Sequence, residues 1–229
     1  GVVSNLRRPG GNITGVSMMM PTLVPKRLEL LREVLPKIAT VGFLAHGGDP
    51  AVPIFTREVE EAGKRLGIRI VVQVSPGPEA LEQAFDILHK AKVEAVIVQP
   101  LWVNTLGLGP RIAELATRHR MLSIGDGDGF AEQGGLIFYG PDPLAIYGRL
   151  ATYVDRILRG TKPGEIPVEQ PSKFELVVNM KTARALGALQ TKLEADPSAG
   201  DRRRRAADVR AARERAERAE KARQKLVEI

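Results

Sequence analysis

Residues 41–45, Val-Gly-Phe-Leu-Ala, open the pattern that decides the fold. Three more short apolar runs follow, at residues 70–74 (Ile-Val-Val-Gln-Val), 95–98 (Ala-Val-Ile-Val) and 122–124 (Leu-Ser-Ile). Runs apolar at successive rather than alternate positions are strands buried on both faces. Between them the apolar period lengthens to that of a helix. Phe55, Val59, Ala62 and Leu66 repeat at helical spacing, as do Leu81, Ala84, Phe85 and Leu88, and more sparsely Ile112, Leu115 and His119. Buried strands alternating with amphipathic helices specify a parallel sheet covered on both sides, a doubly wound α/β unit over residues 38–125. Gly67 closes one helix, and Pro36 ends an earlier one over residues 26–35.

Outward from this unit the pattern changes. Gly134 and Gly135 precede a short strand at residues 136–139, and Gly-Pro-Asp-Pro at 140–143 opens a helix with the stripe Tyr147, Leu150, Val154 and Ile157. A Pro/Gly-rich stretch, residues 160–171, leads to a strand at 174–178 and a helix at 181–186. These pieces read as a second layer or lobe, to which residues 12–17 add another short strand. From residue 188 the chain has no aromatic residue, and four consecutive arginines (202–205) precede an Ala/Arg/Glu-rich stretch. Glu and Arg at helical spacing support an exposed helix there, but Val209, Leu226, Val227 and Ile229 make no heptad seam.

The chain has 229 residues, 43% hydrophobic and 27% charged, an ordinary globular composition. Its net charge of +7 is uneven: residues 192–229 hold 12 Lys or Arg against 8 Asp or Glu, the rest 22 against 19. Interleaved acids and the absence of stacking aromatics argue against nucleic-acid binding by this tail. No apolar run approaches the ~18 to 20 residues of a membrane span, and residues 1–9 do not read as a signal peptide. Without cysteine there is no disulfide, thiol catalysis or Cys-ligated zinc.

In an open α/β sheet, ligands bind beyond the carboxyl ends of the strands. The loops there are residues 45–50, 75–77, 99–104 and 125–130. Gly47 lets backbone approach a ligand closely. Trp102, the single tryptophan, either lines a small-molecule site or covers a sheet end. His46 either orients a ligand carboxylate, acts as a base, or is merely solvated. Asp126 partners a ligand ammonium or makes an Asx turn, and Asp128 is read as a turn residue. The two lack the remaining ligands of a calcium loop, and His89 and His119 fall on helices, so no metal site is expected. The catalytic motifs are missing too. Gly15-Val16-Ser17-Met18-Met19 departs from a nucleophile elbow at its last position, and neither phosphate-loop nor dinucleotide-binding glycine pattern occurs. A binder rather than an enzyme is expected, with no cofactor.

Five ordered motifs carry a resemblance. They are Arg8-Pro9-Gly10-Gly11-Asn12-Ile13-Thr14-Gly15-Val16-Ser17, Lys26-Arg27-Leu28-Glu29-Leu30-Leu31, Tyr139-Gly140-Pro141-Asp142, Tyr153-Val154-Asp155-Arg156-Ile157-Leu158 and Pro167-Val168-Glu169-Gln170-Pro171-Ser172-Lys173-Phe174-Glu175-Leu176. Together, over residues 1–187, the chain resembles the substrate-binding proteins of ABC transporters of the tryptophan/tyrosine uptake type. The resemblance implies a type I periplasmic binding fold: two α/β lobes, a hinge, and a small solute such as an amino acid held between them. It also implies a periplasmic or other extracytoplasmic location and an ABC permease as partner. The ligand residues expected on this reading are His46, Gly47, Trp102 and Asp126, with Thr14 near the hinge.

In that family an export signal and most of the first lobe would precede Pro9, so the chain reads as a truncated form. The division expected is a first-lobe remnant and crossover helix (1–37), a complete α/β lobe (38–125), a return segment to the incomplete lobe (126–187) and a charged helical tail (188–229). Apolar residues Phe174, Leu176 and Val178 would then lack partners and promote self-association, and affinity for a solute would be poor. The alternative function is a ligand-sensing module that signals through the C-terminal helix.

Overall fold

The computed structural model describes residue 3 and residues 5–127 and 129–187. Asp128 and the charged tail lie outside the described residues. Six strands form one sheet: β1 (Thr40–His46), β2 (Arg69–Ser75), β3 (Ala95–Val98), β4 (Leu122–Gly125), β5 (Ile137–Pro141) and β6 (Phe174–Val178). Their order is β2-β1-β3-β4-β5-β6. The first five run parallel, and β6 returns antiparallel on β5.

The helices are α1 (Val24–Val34), α2 (Val52–Leu66), α3 (Leu81–Lys90), α4 (Pro100–Asn104), α5 (Gly109–Arg118), α6 (Pro143–Leu158) and α7 (Met180–Leu186). Strand alternation sorts them to opposite sides of the sheet. Phe43 stacks on Phe55 of α2 with ring centroids 6.0 Å apart. Its neighbour Leu44 points the other way, into a core with Phe85 and Leu88 of α3 and Ile112 and Leu115 of α5. Every residue of β3 and β4 is buried, as consecutive apolar positions require of central strands. β2, at the edge, is only partly covered.

Two glycines explain close approaches. Gly63 lies on the buried side of α2, where a Cβ would come 2.8 Å from the Ile68 carbonyl oxygen. Gly67, at φ 68°, ends α2 by donating to the carbonyls of Gly63 and Lys64, a left-handed conformation that glycine adopts without strain.

The segments after residue 125 differ from the expectation of a separate lobe. β5 and β6 extend the same sheet, pairing from Ile137 with Val178 to Pro141 with Phe174. Phe174 stacks on Tyr139 at 6.2 Å, and Leu176 and Val178 are half-buried, so this strand has partners. The reason is topological: an antiparallel edge strand is covered on fewer sides than a central parallel one and carries a different pattern. Phe174 remains partly exposed, and a longer exposed apolar stripe lies on α6. Tyr147 and Val154 are 63% and 56% exposed, with Leu150 and Ile157 beside them, while Ile146 and Tyr153 face inward. Residues 12–17 form no strand, only an isolated bridge from Val16 to Glu169.

Candidate functional site

The parallel register aligns the carboxyl ends of the strands into one rim. His46 at the end of β1 sits opposite Ser75 at the end of β2, and Val98 at the end of β3 opposite Gly125 at the end of β4. The loops that leave this rim carry most of the residues singled out from sequence.

His46 and Trp102 touch. Their ring centroids are 4.7 Å apart, edge to face, a geometry that places the positive rim of one ring on the π face of the other. Trp102 is fully buried, within the core under α3 and α5, and His46 is half-buried above it. Its burial in the core means that Trp102 covers the sheet end and lies beneath the rim. The His46 Nδ1 accepts a hydrogen bond from the Gly48 amide at 3.0 Å. Gly47 is exposed, its amide donating to the Ser75 carbonyl at 2.8 Å.

A buried glutamine holds this loop. Gln99, the residue after β3, accepts from the His46 amide through Oε1 (2.7 Å) and donates through Nε2 to Asp49 (2.6 Å). Asp49 accepts in turn from the Ala51 amide at 2.8 Å, at the start of α2. Sequence reasoning missed Gln99 and Asp49. The signal was an amide side chain directly behind a wholly apolar strand, which when buried must find partners.

Asp126 lies farther along the rim and is also buried. Its carboxylate pairs with Arg27 of α1, whose guanidinium also donates to the Tyr139 carbonyl at 3.2 Å. The structure thus gives Asp126 a protein cation as partner and ties α1 to the end of β4 and the middle of β5. Arg27 carried a signal too, a charge beside Leu28 and Leu31 on the buried side of a helix.

Thr14 is not grouped with His46 and Trp102. Its hydroxyl donates to the Ile166 carbonyl at 2.6 Å, in a ladder where residues 6–17 run beside residues 164–169. The ladder includes Val168 to Leu6 at 2.7 Å and Ser17 to Glu169 at 2.8 Å. A cavity of about 240 Å³ opens next to it, lined among others by Val16, Asp142, Ile146, Arg149, Glu169 and Lys173. It lies at the end of β5 and the start of β6, so it shares the rim but contains none of His46, Gly47, Trp102 or Asp126. The hydrogen bond from Arg149 holds the Glu169 carboxyl below its ordinary range, and burial, followed by Glu169, pushes the Tyr153 phenol up. Among the described residues no three metal-ligating side chains gather, and no helix is long and apolar enough to cross a membrane.

The family model described as ABC transporter substrate binding protein matches residues 1–195. The chain belongs to that substrate-binding protein family. The family is one of binding proteins and not of enzymes. A curated relative, the tyrosine-binding protein of Clostridioides difficile strain R20291, is 25% identical over 197 residues, covering 86% of this chain and 55% of the relative. A conserved domain protein from Vibrio cholerae O1 biovar El Tor superposes with a TM-score of 0.75 at 23% identity, over 83% of this chain and 63% of that one. An ABC domain from Streptococcus pneumonia crystallised with L-Trp gives a TM-score of 0.72 at 25% identity, over 83% and 65%. The chain therefore spans a little over half of the curated relative and under two thirds of these solved structures.

Proposed function

We propose that this chain is the solute-binding component, or a lobe of it, of an ABC uptake transporter, working outside the cytoplasm with a permease as partner. The solute is an amino acid, held against the strand-exit rim by His46, with Gly47 leaving room for its close approach and Trp102 as the layer beneath. Asp126 acts from behind through Arg27, and Thr14 steadies the paired segments that would form the hinge.

The observation that carries this reading is the packed His46–Trp102 pair at the carboxyl ends of parallel strands, where open α/β sheets take their ligands. Relatives named for tyrosine binding, or crystallised with L-Trp, support an amino acid as the solute. In a two-lobed binder a ligand stabilises closure only through contacts that are better in the closed state than in the open one. The rim supplies one wall. The uncovered apolar stripe on α6 supports self-association of this chain as a further property.

Isothermal titration calorimetry of the chain against the individual L-amino acids tests the reading. A saturable heat with one or a few amino acids is expected, aromatic ones included. Absence of heat with every amino acid at millimolar concentration would contradict it.

A further inference from the structure

An amino acid presents two charged ends, a carboxylate that accepts hydrogen bonds and an ammonium that donates them. One ring at the rim bears on which end would be held.

The Gly48 amide donates to His46 Nδ1 at 3.0 Å. A backbone N–H can only donate, so Nδ1 must carry its lone pair and the neutral ring must hold its proton on Nε2. The backbone that carries the ring is fixed, and the ring itself packs against a neighbour. The His46 amide is bound by Gln99 (2.7 Å), the Asp49 amide returns to the His46 carbonyl (3.0 Å), and the ring packs edge-to-face on Trp102. Trp102 is itself fully buried and so fixes the ring from below. Among the described residues, Nε2 has no hydrogen-bond partner, and His46 is half-buried at the rim. The ring nitrogen is therefore a donor left for a ligand. The neighbouring amides cannot substitute for it, because Gly47, Gly48 and Asp49 all donate within the protein.

We infer that His46 is a specificity-determining residue, locked by Gly48 as the Nε2–H tautomer, that takes the carboxylate and not the ammonium end of the ligand. The inference rests on the proposed amino-acid site and deepens it. Action as a base at Nδ1 would require the Gly48 hydrogen bond to be given up. Tryptamine, which keeps the indole and the ammonium but has lost the carboxylate, offers Nε2–H no oxygen to hold.

Two measurements on the full chain test this. Long-range ¹H–¹⁵N spectra of the ligand-free protein at pH 7.5 read the tautomer of His46. A single Nε2–H form is expected, and an Nδ1–H form or an averaged mixture overturns the inference whatever the chain binds. Amide-shift titrations with L-tryptophan and with tryptamine then read recognition, in the wild type and in His46→Phe and His46→Gln. Phe keeps a ring on Trp102 but has no donor, whereas Gln keeps an N–H near the position of Nε2. A lost hydrogen bond to a charged group corresponds to about tenfold to a hundredfold weaker binding. L-tryptophan should weaken by that factor in His46→Phe and recover in part in His46→Gln, and tryptamine should bind poorly to all three. Equal L-tryptophan affinity in wild type and His46→Phe, with shifts still at the rim, overturns this inference alone. No L-tryptophan-induced shift anywhere overturns both it and the proposed function.

Discussion

Arg27 and Asp126, 99 residues apart in sequence, form an ion pair whose side chains are 1% and 0% exposed. The pair joins α1 to the end of β4, and Arg27 also reaches the middle of β5. Removing one member of such a pair strands a charge in a medium that solvates it poorly. Asp126→Leu or Arg27→Leu should each cost about 3 to 5 kcal/mol. The double variant should cost clearly less than the sum, because neither charge is then left alone. Urea unfolding of the four proteins measures this. Single variants within about 1 kcal/mol of wild type would show that solvent or another group compensates the lone charge.

Trp102 is the only tryptophan, so its fluorescence reports one site. Full burial predicts blue-shifted emission and weak acrylamide quenching in the native chain, both reversed on unfolding. Trp102→Ala should destabilise the fold by about 3 to 5 kcal/mol through lost contacts and the cavity left behind. Emission like that of free tryptophan under native conditions would refute the buried position.

The helix α6 presents Tyr147, Leu150, Val154 and Ile157 to solvent. Apolar stripes of this kind associate, so the chain should show concentration-dependent sedimentation. Leu150→Glu with Val154→Lys should shift it toward monomer without lowering stability, since neither side chain is buried. A chain that is monomeric across the whole concentration range, or unchanged association in the double variant, would remove α6 as the contact surface.

His119 is held below its ordinary pKa, first by burial and then by the nearby His89, with Arg118 acting the same way and Asp86 and Glu82 opposing. Its ring stacks on Phe85 at 6.0 Å. A depressed folded pKa means that, as pH falls through the ordinary histidine value, the unfolded chain takes up the proton before the folded one does. Stability from this group is therefore fully present above that value and declines below it. Urea midpoints should fall between pH 7.5 and pH 5.5 in the wild type, and by less in His119→Phe. An equal fall in both would assign the effect elsewhere.

The central architecture was legible because β1, β3 and β4, buried almost throughout, and the partly covered β2 leave short apolar runs that alternate with helical stripes. The observed β3 coincides with its apolar run, and β1, β2 and β4 exceed theirs by one or two residues. The edge was harder to read. β6 carries Glu175 and is exposed at its start, so its pattern resembles that of a peripheral layer, and only the register with β5 reveals that it closes the same sheet. The stripe on α6 was visible, but an apolar stripe says only that a face would be buried, not that its partner is present. At the rim, His46, Gly47 and Trp102 were legible from their position behind strands. Gln99 and Arg27 were overlooked: their apolar neighbours hinted at burial, but the partners that satisfy them lie far away in sequence, here 53 and 99 residues.

The most direct test of the account is where an amino acid touches the chain. Amide shifts mapped residue by residue during a titration with L-tyrosine should cluster at residues 46–49, 75–77 and 99–102. Shifts concentrated instead around Val16, Asp142 and Arg149, or absent from the rim at saturation, would contradict it.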